Sequence, residues 1–380
     1  MYDLAIVGGG PAGSSAGRTA ALRGLRTLIL EKTHFPRYKA CAGGLSLRIL
    51  RHLDFSLPPE LCEKNITGGF IHIRGRKLEG RGKMPLATMV TRSAFDAFLL
   101  EKAREAGAEI RMGQRVIDVE ERGNCVELST TGGACRARFV VIAEGAQGRL
   151  KERVRRRDRR NEYGICLVTE ISERNDVIDD RLPGMVEIHF DAVSNGYGWI
   201  FPHDGYYSVG IGSLAAILPR PQRTMAGFLH DRGFESACRV RGHVIPAGGI
   251  RRRVVRSRVM LCGDAAGFVD PLTGEGLPYA IRSGQIAASV AADTLAGSGE
   301  PGPARRYERL CRGEFGGNLR YALLSAKIIY GTPSLFYRVL TGTAGSLEKY
   351  LETSLEEGQY ASYLRWLVPR LPARIFSRGR

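Results

Sequence analysis

Leu4-Ala5-Ile6-Val7 runs without a break into Gly8-Gly9-Gly10-Pro11-Ala12-Gly13, and a second apolar stretch, Thr27 to Leu30, ends on Glu31. Ser14 to Arg23, between them, has helical composition. The order strand, glycine turn, helix, strand, acid predicts the opening unit of a dinucleotide fold. Each glycine has its own task. Gly8 permits the tight turn, Gly10 lets the backbone approach a pyrophosphate, and Gly13 lets helix pack close to strand. Pro11 and Ala12 complete the loop ahead of the helix, whose free N–H groups and positive dipole end suit phosphate. Glu31, with Lys32 beside it, stands where a carboxylate accepts from ribose hydroxyls. A glycine pattern alone also occurs as a plain structural turn; the five parts in this order set it apart.

Two later stretches choose the dinucleotide. Arg258 to Cys262 is an apolar strand ending in Gly263-Asp264, followed by Asp270-Pro271-Leu272-Thr273-Gly274-Glu275-Gly276. Val140 to Ala143 is another, ending in Glu144-Gly145. A nicotinamide dinucleotide has no use for a distant Gly-Asp turn. FAD does, because its ribityl chain and isoalloxazine ring reach well past the first phosphate site. Together with Arg92 and Asp96, these features resemble the p-hydroxybenzoate hydroxylase-type flavoproteins. That resemblance implies an α/β fold: a Rossmann-like FAD-binding domain, an antiparallel β substrate domain and C-terminal helices. It also implies that Arg92 faces the FAD pyrophosphate and Asp264 the ribityl hydroxyls. The family usually carries Asp-Gly where this chain has Glu144-Gly145.

Such a scaffold hosts hydroxylases, halogenases, epoxidases and reductases, so the reaction must be read from other residues. Phe35-Pro36-Arg37-Tyr38-Lys39-Ala40-Cys41-Ala42-Gly43-Gly44 and, far downstream, Tyr197-Gly198-Trp199-Ile200-Phe201-Pro202 resemble the geranylgeranyl reductase family. The likeness runs from residue 1 to about 300. It implies FAD-dependent saturation of isoprenoid double bonds in a lipid, quinone or prenyl substrate. It further implies that Cys41, Ala42 and Gly43 lie near the flavin. The chemistry agrees. An isolated trisubstituted alkene is electron-rich, so hydride must reach one carbon as a proton reaches the other, with water kept out. A thiol with an ordinary pKa of about 8.5 is protonated at neutral pH and can supply or relay that proton. Cys41 either does so or packs as a small apolar residue. Gly274, Glu275 and Gly276 precede a helical run, Leu277 to Leu295, whose first amides can face the flavin; Glu275 is otherwise a first-turn acid. Tyr197, Trp199 and Phe201 alternate, forming either an aromatic wall for a polyprenyl chain or plain core, with Pro202 closing the motif. His203 and Asp204 read as a turn. His72, His189 and His243 lack metal-ligand spacing, so no metal is expected.

A chain of 380 residues, 43% hydrophobic and 25% charged, suits two to three globular domains. The nucleotide turns assign 1–65, 85–160 and 246–297 to a discontinuous FAD-binding domain. Residues 66–84 and 161–245 go to the substrate-binding domain, and 298–380 to a C-terminal helical region. One glycine fingerprint leaves electrons to arrive from a transient donor, ferredoxin or NAD(P)H. Lys and Arg outnumber Asp and Glu by 56 to 39, and the resulting +17 favours anionic partners. The excess gathers in Arg149 to Arg160, Arg251 to Arg258 and the tail Tyr360 to Arg380. That tail interleaves Arg with Leu, Trp and Phe and suits an anionic membrane surface, or is a solvated helix. No nucleic-acid motif accompanies the charge. Eight scattered Cys, no apolar run of membrane-spanning length and no secretion signal at the start predict a cytoplasmic protein, peripheral at the membrane. Two other readings compete: an oxygen-using flavin monooxygenase or halogenase, and a non-catalytic lipid-carrying or electron-shuttling flavoprotein.

Overall fold

In the computed structural model the N-terminal apolar run is strand β1, Tyr2–Val7, followed by helix α1, Pro11–Leu22, and strand β2, Thr27–Glu31. The structure describes residues 1–82, 84–234, 239–247, 251–297, 302–355 and 360–370. The helix starts at Pro11 rather than Ser14, because proline at the first helical position lacks only an N–H that would go unpaired anyway. β1 and β2 pair in parallel, and Leu4, Ala5, Ile6, Leu28 and Ile29 are fully buried. Unbroken apolar runs of this kind belong to a parallel sheet covered on both faces.

That sheet continues from β1 to Gly133–Ile142 and Val259–Leu261 on one side, and from β2 to Glu109–Met112 on the other, all in parallel. Both acid–glycine stretches therefore end at the same sheet edge as the first glycine turn. This is where a doubly wound sheet binds ligands. Helices Arg92–Glu105 and Leu277–Leu295 pack beside α1.

A second, seven-stranded sheet orders Arg241–Pro246, Tyr163–Ser172, Tyr206–Leu214, Gly196–Pro202, Met185–His189, Gly68–Ile73 and Arg76–Arg81. Its pairs are antiparallel except Met185–His189 with Gly68–Ile73. Beyond residue 302 the chain is helical: Pro303–Cys311, Gly317–Gly331, Pro333–Gly342, Ser346–Leu355 and Tyr360–Leu367. Tyr307 and Cys311 join the core of the nucleotide layer, whereas Phe336, Leu340, Tyr350 and Leu351 close over Ile71 and Ile73 of the second sheet. No helix of the described residues is long and apolar enough to cross a membrane.

Two charge readings change. The Arg149 to Arg160 cluster is paired in part: Asp158, its side chain buried, takes Lys151, Arg155 and, from the next cluster, Arg252, and Glu162 takes Arg156. Acids only a few residues along the chain therefore neutralise part of that cationic surface. In the tail, Tyr360, Tyr363 and Leu367 are buried in the C-terminal core, so these groups face protein rather than lipid. Residues 371–380 of that tail lie outside the described residues.

Candidate active site

The glycine turn separates into parts that serve the chain and a part that serves a ligand. Gly8 has φ of +101°, and a Cβ there would lie 2.5 Å from the Ala143 carbonyl oxygen. A Cβ on Gly13 would lie 1.8 Å from the Gly8 carbonyl oxygen. At Gly10 the nearest atom to such a carbon is Arg37 Nη2 at 3.4 Å, and Gly10 lines a cavity of ≈ 1430 Å³. Gly8, Pro11, Ala12 and Lys32 line it too. Gly13 does not, because its missing side chain is filled by the neighbouring backbone.

Glu31 is buried at the rim of the same cavity. Its Oε2 accepts from the Gly9 N–H at 2.8 Å, and its Oε1 from the Thr33 N–H at 2.9 Å and hydroxyl at 2.8 Å. Three donors hold the carboxylate in one orientation. Nearby, buried Arg92 grips Asp96 through two bonds of 2.9 and 3.1 Å, with Arg37 3.6 Å from the same carboxylate. Two guanidiniums against one carboxylate leave positive charge at the cavity wall, as a diphosphate requires. The Arg92 guanidinium also lies close to Cys41 and, despite burial, is held charged, chiefly by Asp96.

Cys41, Ala42 and Gly43 line the same cavity. Opposite them Asp264 Oδ2 is 3.3 Å from His243 Nε2, and Lys39 Nζ is 2.7 Å from that same nitrogen. Burial works to raise the Asp264 carboxyl, but the His243 hydrogen bond and the Lys39 charge hold it below its ordinary range. Burial lowers both Lys39 and His243. Gly263 lies outside the lining. At φ +57° it packs against Ala280 and Ala12, so it makes the turn and leaves the cavity to Asp264.

Gly274, Glu275 and Gly276 line the cavity floor. Glu275 is neither free nor a first-turn acid of the following helix. It precedes that helix and accepts from Ser46 at 2.6 Å and Arg48 at 2.8 Å. Burial raises its carboxyl above the ordinary range even beside Arg48.

Beyond Cys41 the cavity becomes apolar. Tyr197, Trp199 and Phe201 all face it from one side of their strand, joined by Phe190, Tyr330 and Tyr350. The Tyr197 hydroxyl is tied to the Thr273 carbonyl. Pro202, expected with them, is buried outside the lining: strand residues alternate, and its even-numbered neighbours Gly198 and Ile200 face Phe228 and the opposite core.

Several participants carried no sequence signal. Lys39 and His243 are 204 positions apart, and only the pairing of Arg241–Pro246 with Tyr163–Ser172 brings His243 to the site. His203 does end its strand in a turn, yet it is buried, bonding Glu63 and the Ala42 carbonyl beneath the Cys41 loop. His72, Glu187 and His189 also meet, with candidate ligand atoms within 4.8 Å of one another. Parallel pairing sets His72 opposite His189, which no spacing along the chain foretold. Glu187 is already engaged by His189 at 3.0 Å and Arg181 at 3.3 Å. The two imidazoles stack 4.1 Å apart at 19°, so their lone pairs run side by side rather than converging as metal ligands do.

A parallel sheet presenting an open glycine turn, a fixed terminal carboxylate and paired guanidiniums fits the adenosine and diphosphate of FAD. The Asp264 side of the cavity fits its ribityl chain. The fold and site define a FAD-dependent oxidoreductase, with FAD as its cofactor. The FAD binding domain family matches residues 1–179. An uncharacterised protein of Methanosarcina barkeri is 31% identical over 89% of this chain and 86% of its own. A geranylgeranyl diphosphate reductase of Rhodobacter capsulatus is 31% identical over 79% and 77%. A menaquinone reductase of Mycobacterium tuberculosis is 30% identical over 76% of each. Among solved structures, a geranylgeranyl bacteriochlorophyll reductase-like protein from Thermoplasma acidophilum superposes with TM-score 0.79 at 21% identity, covering 97% and 96%. A flavin-dependent brominase gives 0.74 at 22%, covering 96% and 98%; at such identities the likeness is one of fold. The chain belongs to the geranylgeranyl reductase family.

Proposed function

We propose that this chain saturates isolated double bonds along a polyprenyl chain, borne by a lipid, a diphosphate or a quinone, and that Cys41 handles the proton. The observation that carries this is one cavity lined by the glycine turn and Arg92, by Cys41, and by an aromatic group, Tyr197, Trp199, Phe201, Tyr330 and Tyr350, with Lys327 as the charged residue beside them. FAD, once reduced, supplies the hydride. The protein's residues do the rest. Charged Arg92 lies close to Cys41, and the thiol supplies the proton to one alkene carbon as hydride reaches the other. Tyr197, Trp199 and Phe201 exclude water and hold a flexible hydrocarbon by contact alone, which permits the chain to slide between successive double bonds. Tyr197 itself is tied to Thr273 and, being buried, is pushed far above its ordinary range, so it does not compete as an acid.

The same reading gives 1–65, 85–160 and 246–297 the cofactor, 66–84 and 161–245 the substrate, and 298–380 the cover of the chamber. Electrons come from a ferredoxin-like carrier or from NAD(P)H docking transiently. The exposed Arg115, Arg149 and Arg251 at the cavity rim suit either acidic donor. The brominase likeness, being one of fold, does not favour a halogenase.

FAD-loaded protein reduced with dithionite is expected to add whole molecules of dihydrogen to geranylgeranyl lipids, diphosphates or prenylquinones, read by mass spectrometry. Cys41→Ala is expected to keep bound FAD and lose turnover by about 10²-fold or more. Unchanged masses across all three substrate types would overturn the reading. Full turnover by Cys41→Ala would overturn the role of the thiol.

A further inference from the structure

One helix of the chamber wall faces two ways. In Gly317–Gly331, Leu323, Ala326, Lys327 and Tyr330 line the cavity. On the same helix Tyr321, Leu324 and Ile328 are 42%, 47% and 42% exposed. With about 100° between successive residues, these three fall on one arc that adjoins the lining arc, and Lys327 stands on the border between them. Single exposed apolar side chains are ordinary, but three on one arc at the lip of an apolar chamber form a patch. Its electrostatics are one-sided. Arg320 and Lys327 are exposed beside the patch, neither has a carboxylate partner among the described residues, and the helix contains no Asp or Glu. The chain as a whole carries +17.

We propose that this face of Gly317–Gly331 lies on an anionic lipid bilayer, so that a polyprenyl chain passes from the membrane over the Lys327 lip into the chamber without entering water. Tyr321, Leu324 and Ile328 sit among the acyl chains, and Arg320 and Lys327 among lipid phosphates, the arrangement of an interfacial amphipathic helix. The inference rests on reading the chamber as a prenyl site. It also moves the membrane contact away from the tail, whose described aromatic residues are turned inward.

The test is co-sedimentation of the FAD-loaded full chain with phosphatidylcholine vesicles, with and without phosphatidylglycerol. Binding is expected to require the anionic lipid and to weaken with salt. The double variant Leu324→Glu/Ile328→Glu, with its flavin spectrum intact, is expected to bind at least about tenfold more weakly. Leu22→Glu, which is 58% exposed at the end of α1, is expected to bind as the parent does. No binding by the parent protein, or undiminished binding by the double variant, overturns the proposal. So does a parent dimer that the double substitution converts to monomer, since a second copy would then cover the patch. The reaction is assayed separately: the double variant should turn over detergent-dispersed substrate normally and vesicle-embedded substrate slowly. Vesicle binding that depends on Leu324 and Ile328 without reduction of any prenyl substrate supports the surface and overturns only the assigned reaction.

Discussion

Gly10 and Gly13 occupy one turn, and the sequence treats them alike, yet their surroundings differ. The space beside Gly13 is closed by the Gly8 carbonyl, whereas that beside Gly10 opens into the cavity. Gly13→Ala must therefore strain the helix–strand contact, by about 1–3 kcal/mol for overpacking of this kind, and lower the melting temperature. Gly10→Val is expected to leave the melting temperature of the FAD-free protein nearly unchanged while weakening FAD at least tenfold in a fluorescence titration. Equal effects of the two substitutions on stability would show that Gly10, too, serves only the chain. Glu31 was legible for the reason Gly10 was: it is placed by local order along the chain. The nearness of Arg92 to Cys41 was not, because the two come together only once the helix Arg92–Glu105 has packed beside α1.

At the scale of elements, the register of the second sheet shapes the chamber. Trp199 pairs with Gly210, and a Cβ on Gly210 would lie 2.2 Å from the Trp199 ring and 2.5 Å from the Leu167 carbonyl. Gly210→Ala is expected to push the indole into the cavity. FAD binding should persist, tryptophan emission should shift, and prenyl turnover should fall at least tenfold; unchanged turnover would mean that Trp199 does not bound the substrate.

The same sheet carries a pH dependence. Burial and the neighbouring His189 hold His72 down at about 4, against an ordinary 6.5. The folded chain therefore binds fewer protons than the unfolded one across that window, so stability falls as pH drops from 6.5 towards 4. Burial opposes ionisation of Glu187, but His189 and Arg181 hold it at about 2, and its contribution is lost as pH falls below 4.5. Both effects weaken the sheet in acid. His72→Phe is expected to remove about 1–2 kcal/mol of the loss between pH 6.5 and 4, the larger shift being discounted for partial exposure. Parallel melting curves of parent and variant against pH would exclude His72 as the source.

Across the whole molecule, the C-terminal helices hold the loop from Asp270 to Gly276 in place. Fully buried Asp270 accepts from the Leu272 and Thr273 N–H groups at 2.8 and 3.1 Å through Oδ1. Its Oδ2 accepts from the Tyr360 hydroxyl at 2.9 Å, 90 positions further along the chain. The Tyr330 hydroxyl adds a bond of 2.6 Å to the Leu272 carbonyl. Tyr360→Phe strands one oxygen of a buried carboxylate and is expected to cost about 1–3 kcal/mol in denaturant unfolding. It should also speed FAD release, because the loop from Asp270 to Gly276 lines the cavity. Unaltered FAD release with lowered stability would confine the contact to folding.

The amino-acid order alone determined the nucleotide half of this protein: β1, the glycine turn, α1 and β2 ending at Glu31 are made by contacts between near neighbours, so spacing suffices to read them. It also placed Tyr197, Trp199 and Phe201 on one face, since a strand's alternation is local. Tertiary structure decided the remainder. The engagement of Glu275 by Arg48, the meeting of Lys39, His243 and Asp264, the pairing of Arg252 with Asp158 and the inward turn of the tail all join residues far apart in the chain. Burial and charge pairing over such distances follow from how sheets and helices stack, which leaves no period in the sequence.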